Sequence, residues 1–486
     1  MGGMLTGSPG DEARVEVETT QVAGGARVRA AIAAHDPDTA AVGFEILAEG
    51  GSAADAAVAA TLASCVSESM MTGLAGGGHA IHFSAATGRV DLLDFFVAVP
   101  GIDGPPDRSE PVTVDMFFED EPVPYDLGPG SVGVPGVAAG CGALSERFGR
   151  LPWARLVDAA LRVAVEDTVV TPTQANALVM IAPAMTLNEG AAVYAPPGRL
   201  LRGGETLHQP GLVTALELLR DEGARSFYDG TIAAAMLGVL QARGSAMTEA
   251  DLSTYEVLWP EPQAVPFEGG TVYGRRALSG AMDAIAALPE LRGLTSAQRA
   301  VAFARVLAGS GGRGDTTNVT TVDQQGNACV VTTSLGMGSS DWLPGLDIHL
   351  NSMLGERDLI TGPLVPGGRL GSMMCPTVGV DGDGLAAAAG AAGGSRIRSA
   401  LLQVLSGVLF EHLPVPDAVA RPRLHVDGSV VHVEPDFPAD ASAALAADGW
   451  TIRQWRTRHH FFGGVSVVGR RGACGEPRRD GAALVL

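Results

Sequence analysis

The stretch TTNVTTVDQQGNACVVTTS, residues 316–334, decides the reading of this chain. Thr and Val alternate over 316–323, a Gln-Gln-Gly-Asn turn follows, and a second apolar run fills 328–334. That pattern predicts a β-hairpin. What precedes it is odd. GSGGRGD, residues 309–315, is the best linker in the chain, and it runs straight into Thr316-Thr317. Thr at a strand start ordinarily reflects β-propensity alone. Scission of the Asp315–Thr316 bond would change its chemistry. Thr316 would then carry a free α-amine, whose reference pKa of about 7.7–8.0 lies near neutrality. Such an amine can take the proton of its own hydroxyl, so nucleophile and base share one residue. The same hydroxyl could make the cut by attacking the Asp315 carbonyl, with the linker glycines supplying a permissive backbone.

Around this stretch the chain has 486 residues and is 46% hydrophobic, enough for a large core. The formal net charge of −21 favours solubility and argues against nucleic acid, which calls for a basic face. The cysteines (Cys65, Cys141, Cys329, Cys375 and Cys474) are odd in number, far apart and outside any C-x-x-C. A disulfide framework is not expected, and a reducing compartment is. The first residues are acidic with no apolar core, so no secretory signal is expected. No apolar run reaches 18 residues, so no membrane span is expected either. The expected location is cytoplasmic.

Secondary-structure signals divide unevenly. Residues 1–24 read as a disordered lead. Residues 36–69 read as two helices, the first capped by an Asp or Thr and the second by Ser52, with a Gly50-Gly51 stop between them. Residues 73–96 read as a Gly-rich turn and a strand pair, and 130–165 as a loop and two helices. Residues 172–260 read as mostly helical, 261–280 as strands and 291–309 as a helix. From 316 strands dominate, at 316–323, 328–334, 377–380, 385–389, 422–426, 430–433 and 464–468, with one helix near 396–411. Strand pairs bracketed by helices predict a layered α+β body with no independent second domain.

Familiar site motifs are missing. There is no G-x-x-x-x-G-K-[ST] and no G-x-S-x-G. GLAGGGH (73–79) reads as a tight turn, without the Lys or the strand-to-helix context of a phosphate loop. His459-His460 and the pair His425 and His432 lack metal-ligand partners at useful spacing and read as ordinary histidines. DGDG (381–384) reads as a hairpin turn.

The 316–334 segment resembles the start of the small subunit of γ-glutamyltranspeptidases, which are self-cleaved N-terminal-nucleophile hydrolases with a four-layer αββα sandwich. Further blocks resemble the family in the family's order. They are ILAEGGSAADAAVAA (46–60), GLAGGGHAIHF (73–83), VPGVAAGCGALSERFGRLPWARLVDAAL (134–161), ARSFYDGTIA (224–233), PTVGV (376–380) and GAAGGSRIRSALLQVL (390–405). The resemblance covers nearly the whole chain. It implies an α+β, αββα fold, with 1–315 as large-subunit region and 316–486 as small-subunit region. It also implies an enzyme of the threonine hydrolase or acyltransferase kind, with no metal and no cofactor. A small-molecule acyl substrate and a heterodimer or higher assembly follow, with no nucleic-acid or membrane partner.

By the same resemblance Thr316 falls on the catalytic Thr, and Ser334 on the second Thr that hydrogen-bonds it. Gly393 and Gly394 match the glycine pair whose N–H groups form the oxyanion hole; glycines suit donors that must approach closely. The substrate grip departs from the family. Where the family has D-F-R-E-x-A-P, this chain has DFFVAVP (94–100), so Phe96 replaces the carboxylate-binding Arg. Gly336 replaces an Asn, and Glu356 in NSMLGERD (351–358) stands for an Asp. Ser372 of SMMCPT (372–377) keeps one serine of a pair while Met373 replaces the other. Losing an Arg–carboxylate contact costs transition-state binding, so γ-glutamyl groups should be poor substrates and an acyl group with an apolar or differently charged face preferred. Three other readings stay open. The chain could be a C–C bond hydrolase of a natural-product, 4-alkylproline-type pathway. It could be a conventional glutathione or γ-glutamyl hydrolase whose clamp comes from Arg275 or Arg276. Or it could be an uncleaved pseudoenzyme that only binds.

Overall fold

The computed structural model describes residues 28–103, 109–118, 121–196, 198–308 and 316–486. The lead 1–24 and the cleavage-site residue Asp315 lie outside the described residues. Two six-stranded antiparallel sheets stack face to face. In the first, the strand order is 482–485, 31–34, 317–322, 328–334, 77–83, 90–95. In the second it is 472–474, 464–469, 384–392, 377–381, 270–274, 263–267.

Two-residue alternation assigns each strand face to a layer. Val330, Val468, Ala388 and Ile81 meet between the sheets. Their neighbours point the other way. Val319, Val331 and Leu93 face helices that contribute Ile46, Val58, Leu62, Leu144 and Leu156. Val467, Ala389 and Val465 face a second helical layer that contributes Ala304, Ile397, Leu401 and Val419. This is the αββα sandwich. The helix Ala53–Ser67 is buried along its whole length, as an Ala-rich helix apolar on every side must be. Ser52 and Asp55 close its N-terminus in a reciprocal capping box. Asp36 caps the preceding helix Pro37–Ala48 by accepting from the N–H groups of Asp38 and Thr39.

The expected hairpin is present. Asp323 holds its turn, accepting from the N–H groups of Gln325 and Asn327, and ties it to the first helical layer through Ala53 N–H and Arg150. Several strands escaped the sequence reading: 31–34, 451–454, 472–474 and 482–485. The helix expected near 396–411 is α-helical only over Arg396–Leu405 and continues as a π-helical turn over Ser406–Phe410. Among the described residues no helix is long and apolar enough to cross a membrane.

Toward the end of the stack that carries Thr316 the inter-sheet layer turns polar. The buried Asn318 amide sits between Thr320 Oγ1 (3.0 Å) and Thr332 Oγ1 (2.7 Å). Thr320 donates to Ser466 O across the gap (3.0 Å). Glycine is required opposite: a Cβ on Gly390 would stand 1.9 Å from the Asn318 amide. Gly390→Ala is therefore expected to cost about 1–3 kcal/mol, the usual penalty of overpacking a dense interior. Urea denaturation would read it as a lowered midpoint at unchanged slope, and Asn318→Ala in the same chain should restore part of the loss.

Candidate active site

Antiparallel pairing sets Thr317 opposite Thr333 and Asn318 opposite Thr332. One step further, the register brings Thr316 to Ser334. Both are buried, 4% and 5% exposed. Both line one small cleft with Phe96, Glu356, Ser372, Met373 and Gly394. Met353, Asp358, Leu359 and Met374 complete the lining. The sequence reading had not singled these four out, because they lie in irregular segments where no periodicity marks a wall. The cavity volume is about 20 Å³, the room of about one water.

Ser334 accepts a hydrogen bond from Gly336 N–H at 3.0 Å. Gly336 has φ +70°, and a Cβ there would lie 2.8 Å from both Glu356 Oε1 and Ser352 Oγ. The carboxylate of Glu356 therefore occupies the space that a side chain at 336 would need. Gly336 itself does not line the cleft; it makes room for a residue that does. Gly393 stands one residue behind Gly394, and both have positive φ, 117° and 57°.

Phe96 is 1% exposed and stacks on His79 at 5.5 Å between ring centroids. Its backbone is fixed at both ends: its N–H donates to Asp94 Oδ1 (2.9 Å) and its carbonyl accepts from Tyr255 OH (2.8 Å). Its ring belongs to an apolar cluster with Val97, Val99, Met353, Leu359, Leu370 and Met374. Behind the ring, burial and the charges of Arg275 and Arg369 push the His79 imidazole well below its usual range, so it is neutral. Ser372 accepts from Met374 N–H through its hydroxyl, while its carbonyl accepts from Arg275 Nη1 (3.0 Å) and Leu278 N–H (2.8 Å). Arg275 thus braces the wall from behind, and Arg276 is exposed on the surface. Among the described residues no group of three or more His, Cys, Asp or Glu is placed to hold a metal ion.

A family model described as gamma-glutamyltranspeptidase matches residues 39–309 and 308–486. The chain belongs to the γ-glutamyltranspeptidase family. It is 29% identical to the acylase ACY 1 proenzyme of Pseudomonas sp. (strain V22), over 87% of each chain. It is 25% identical to the glutathione hydrolase proenzyme of Pseudomonas aeruginosa, over 94% of each. Its fold matches cephalosporin acylase from Bacillus halodurans with a TM-score of 0.80 and 22% identity, covering 98% of this chain and 99% of that one. The chain is accordingly a hydrolase or transferase with the αββα fold of N-terminal-nucleophile enzymes.

The fit between Gly336 and the Glu356 carboxylate yields a test that needs no substrate. Gly336→Ala introduces both a strained φ and a close contact with Glu356, and should destabilise by about 1–3 kcal/mol. In a Glu356→Ala background the cost should shrink. A double-mutant cycle by chemical denaturation is expected to give a coupling of about 0.5–3 kcal/mol; strict additivity would contradict the shared space.

Proposed function

We propose that this chain cuts its own Asp315–Thr316 bond and then serves as an amide acylase with Thr316 as nucleophile. The observation that carries this reading is the cleft itself. Seven residues scattered between 96 and 394, each singled out by its place in a motif, line one cavity. Maturation would begin with attack of the Thr316 hydroxyl on the carbonyl carbon of Asp315, shifting the acyl group from nitrogen to oxygen. Water then hydrolyses the ester, leaving a carboxylate on Asp315 and a free amine on Thr316. The segments 1–315 and 316–486 would stay together, because both sheets mix strands from the two.

In turnover, Thr316 Oγ attacks the substrate carbonyl while its α-amine takes the hydroxyl proton. The N–H groups of Gly393 and Gly394 receive the oxyanion. Ser334 orients the nucleophile from the paired strand. The protonated amine then gives its proton to the departing amine, leaving an ester on Thr316. Water, deprotonated by the same amine, or an acceptor amine releases the acyl group.

The acyl group meets Phe96, Met353, Leu359, Met373 and Met374, with Glu356 as the buried carboxylate of the wall. An apolar acyl chain without a free α-carboxylate suits this lining. Entry requires the methionine side chains to swing aside, which their unbranched thioethers allow. Arg275 is outside the lining of the cleft and donates through Nη1 to the Ser372 carbonyl from behind the wall.

Intact-mass spectrometry of the wild type beside Thr316→Ala tests the nucleophile. Two chains from the wild type, the second beginning at Thr316, and one from the variant are expected; a single chain from both overturns the reading. Specificity is tested on p-nitroanilides. A hexanoyl anilide should be hydrolysed with kcat/KM about 10- to 100-fold above the γ-glutamyl anilide, the scale of a charged hydrogen bond lost with the Arg. Equal rates, or the reverse order, would reject the apolar-acyl assignment.

A further inference from the structure

The cleft is too small to enclose the acyl chain that its lining calls for. A cavity of about 20 Å³ holds about one water, so an acyl group beyond its first carbons has to lie outside. The loop that forms one wall shows where. Leu359 at one end, and Ser372, Met373 and Met374 at the other, all line the cleft. Between them residues 360–371 turn back on themselves: a Cβ on Gly371 would lie 2.9 Å from the Leu359 carbonyl oxygen. The return limb is pinned to the segment that carries Phe96. Gly367 N–H donates to Val99 O (2.8 Å), Val99 N–H to Gly368 O (2.9 Å) and Leu370 N–H to Val97 O (3.2 Å). The loop is thus a fixed outer extension of the cleft wall.

The outer surface of this extension is apolar. Val365 is 62%, Ile102 44% and Leu278 37% exposed. Each lies against glycine backbone of the return limb. Ile102 Cδ1 stands 3.5 Å from a Cβ imagined on Gly367, Val365 Cβ 3.7 Å from one on Gly368, and Leu278 Cδ1 2.7 Å from one on Gly371. Beneath them Ile360, Leu364 and Met373 are half-buried and pack on the cluster to which Phe96 belongs. Met373 belongs to both surfaces, since it lines the cleft and is half-open to solvent. Leu278 is joined to the wall as well, through its N–H bond to the Ser372 carbonyl. Single exposed apolar side chains are ordinary; a group of them continuous with a binding cleft marks a surface that meets a ligand.

We propose that this surface is a distal acyl subsite, which receives the outer methylenes of a long, unbranched acyl chain whose carbonyl sits at Thr316. The inference deepens the reading of Thr316 as an acylase nucleophile and rests on it. The chain leaves the cleft past Leu359 and Met373 and lies on Leu278, Ile102 and Val365. The substrate class is then a long-chain N-acyl amine, and not a short or charged acyl amide. With the cleft alone, chain length would cease to matter after the first carbons. With the outer surface, each further methylene counts. A methylene buried in full is worth about fourfold in affinity, and one lying on a one-sided surface about twofold. The tail is held alike before and during acyl transfer, so the gain falls on KM more than on kcat.

The test is chain-length dependence, read with the p-nitroanilides of acetyl, hexanoyl, octanoyl and decanoyl groups below their solubility limits, with Thr316→Ala as background. In the wild type kcat/KM should rise about 10- to 30-fold from hexanoyl to decanoyl, at about twofold per methylene. Val365→Asp, alone and combined with Leu278→Asp, should cut that decanoyl-to-hexanoyl ratio to about threefold or less. The readout is a ratio within one protein, so a lower folded fraction or a slower chemical step cancels. Val365→Asp alone carries the test if the double variant does not fold. A wild-type rate that is flat or falls beyond hexanoyl overturns the subsite. A ratio unchanged in the Asp variants overturns it too; if light scattering then shows an altered oligomeric mass, the face is a contact between copies of the chain. Absence of Thr316-dependent hydrolysis of every anilide, acetyl included, instead overturns the underlying reading of the nucleophile.

Discussion

The contact between Asn318 and Gly390 joins the two halves of the site. Asn318 lies two residues from Thr316 on one sheet, and Gly390 three residues from Gly393 on the other. A buried amide that bridges strands has to be satisfied on all sides, or it costs more than it contributes. Here Thr320 and Thr332 flank it, and Ser466 crosses back from the second sheet to the Asn318 carbonyl. The second sheet can close on that amide only because no Cβ projects at 390. Farther along, the same interface is Ile, Val and Ala, which excludes water but sets no direction. The polar end does set one. It fixes how far the strand that follows Thr316 stands from the strand that leads to the Gly393-Gly394 turn.

From this anchor, specificity follows from what surrounds the fixed atoms. An apolar cluster continues from the sheet edge into the cleft through Phe96. Its ring needs a flat neighbour, which the neutral His79 provides. Its backbone needs two partners, which Asp94 and Tyr255 provide. Glu356 and Gly336 fit each other in a similar way: the acid takes the room that a side chain at 336 would need.

Much of this was legible from residue order. The hairpin announced itself by alternation and turn chemistry, and the Ala-rich helix by its Ser52 cap. The site residues were legible only through motif resemblance; Gly394 and Phe96 carry no signal of their own. Other parts were not legible for physical reasons. The strand Ala31–Ala34 reads AIAA, without the β-branched alternation of an ordinary strand, and becomes one because 317–322 and 482–485 pair on its two sides. The short strands 472–474 and 482–485 likewise depend on partners distant in sequence. Met353, Asp358 and Leu359 lie in a segment of short 3-10 turns, where neither period 2 nor period 3.6 operates. Tertiary pairing, which no local window contains, decided each of these.

Glu434, Glu476, Arg423 and Arg478 form a buried quartet of charges, which poses the remaining question of economy. Four charged groups inside a domain are a poor source of stability, because desolvation offsets much of their attraction. Burial pushes the Glu476 carboxyl upward, yet Arg423 and Arg478 outweigh that and hold it at about 2. Glu476 is therefore held in its ionised form, and removing Arg423 or Arg478 would take away one of its two counter-charges. An apolar replacement of similar volume could pack as well, but it would lack the bonds to Val465 N–H and Gly463 O. Those bonds set where the strand Gly464–Gly469 begins. Hydrophobic contact is tolerant of small displacements; a bidentate charge pair is not. The start of a strand that abuts the Gly393-Gly394 turn is better fixed by the second kind of contact than by the first.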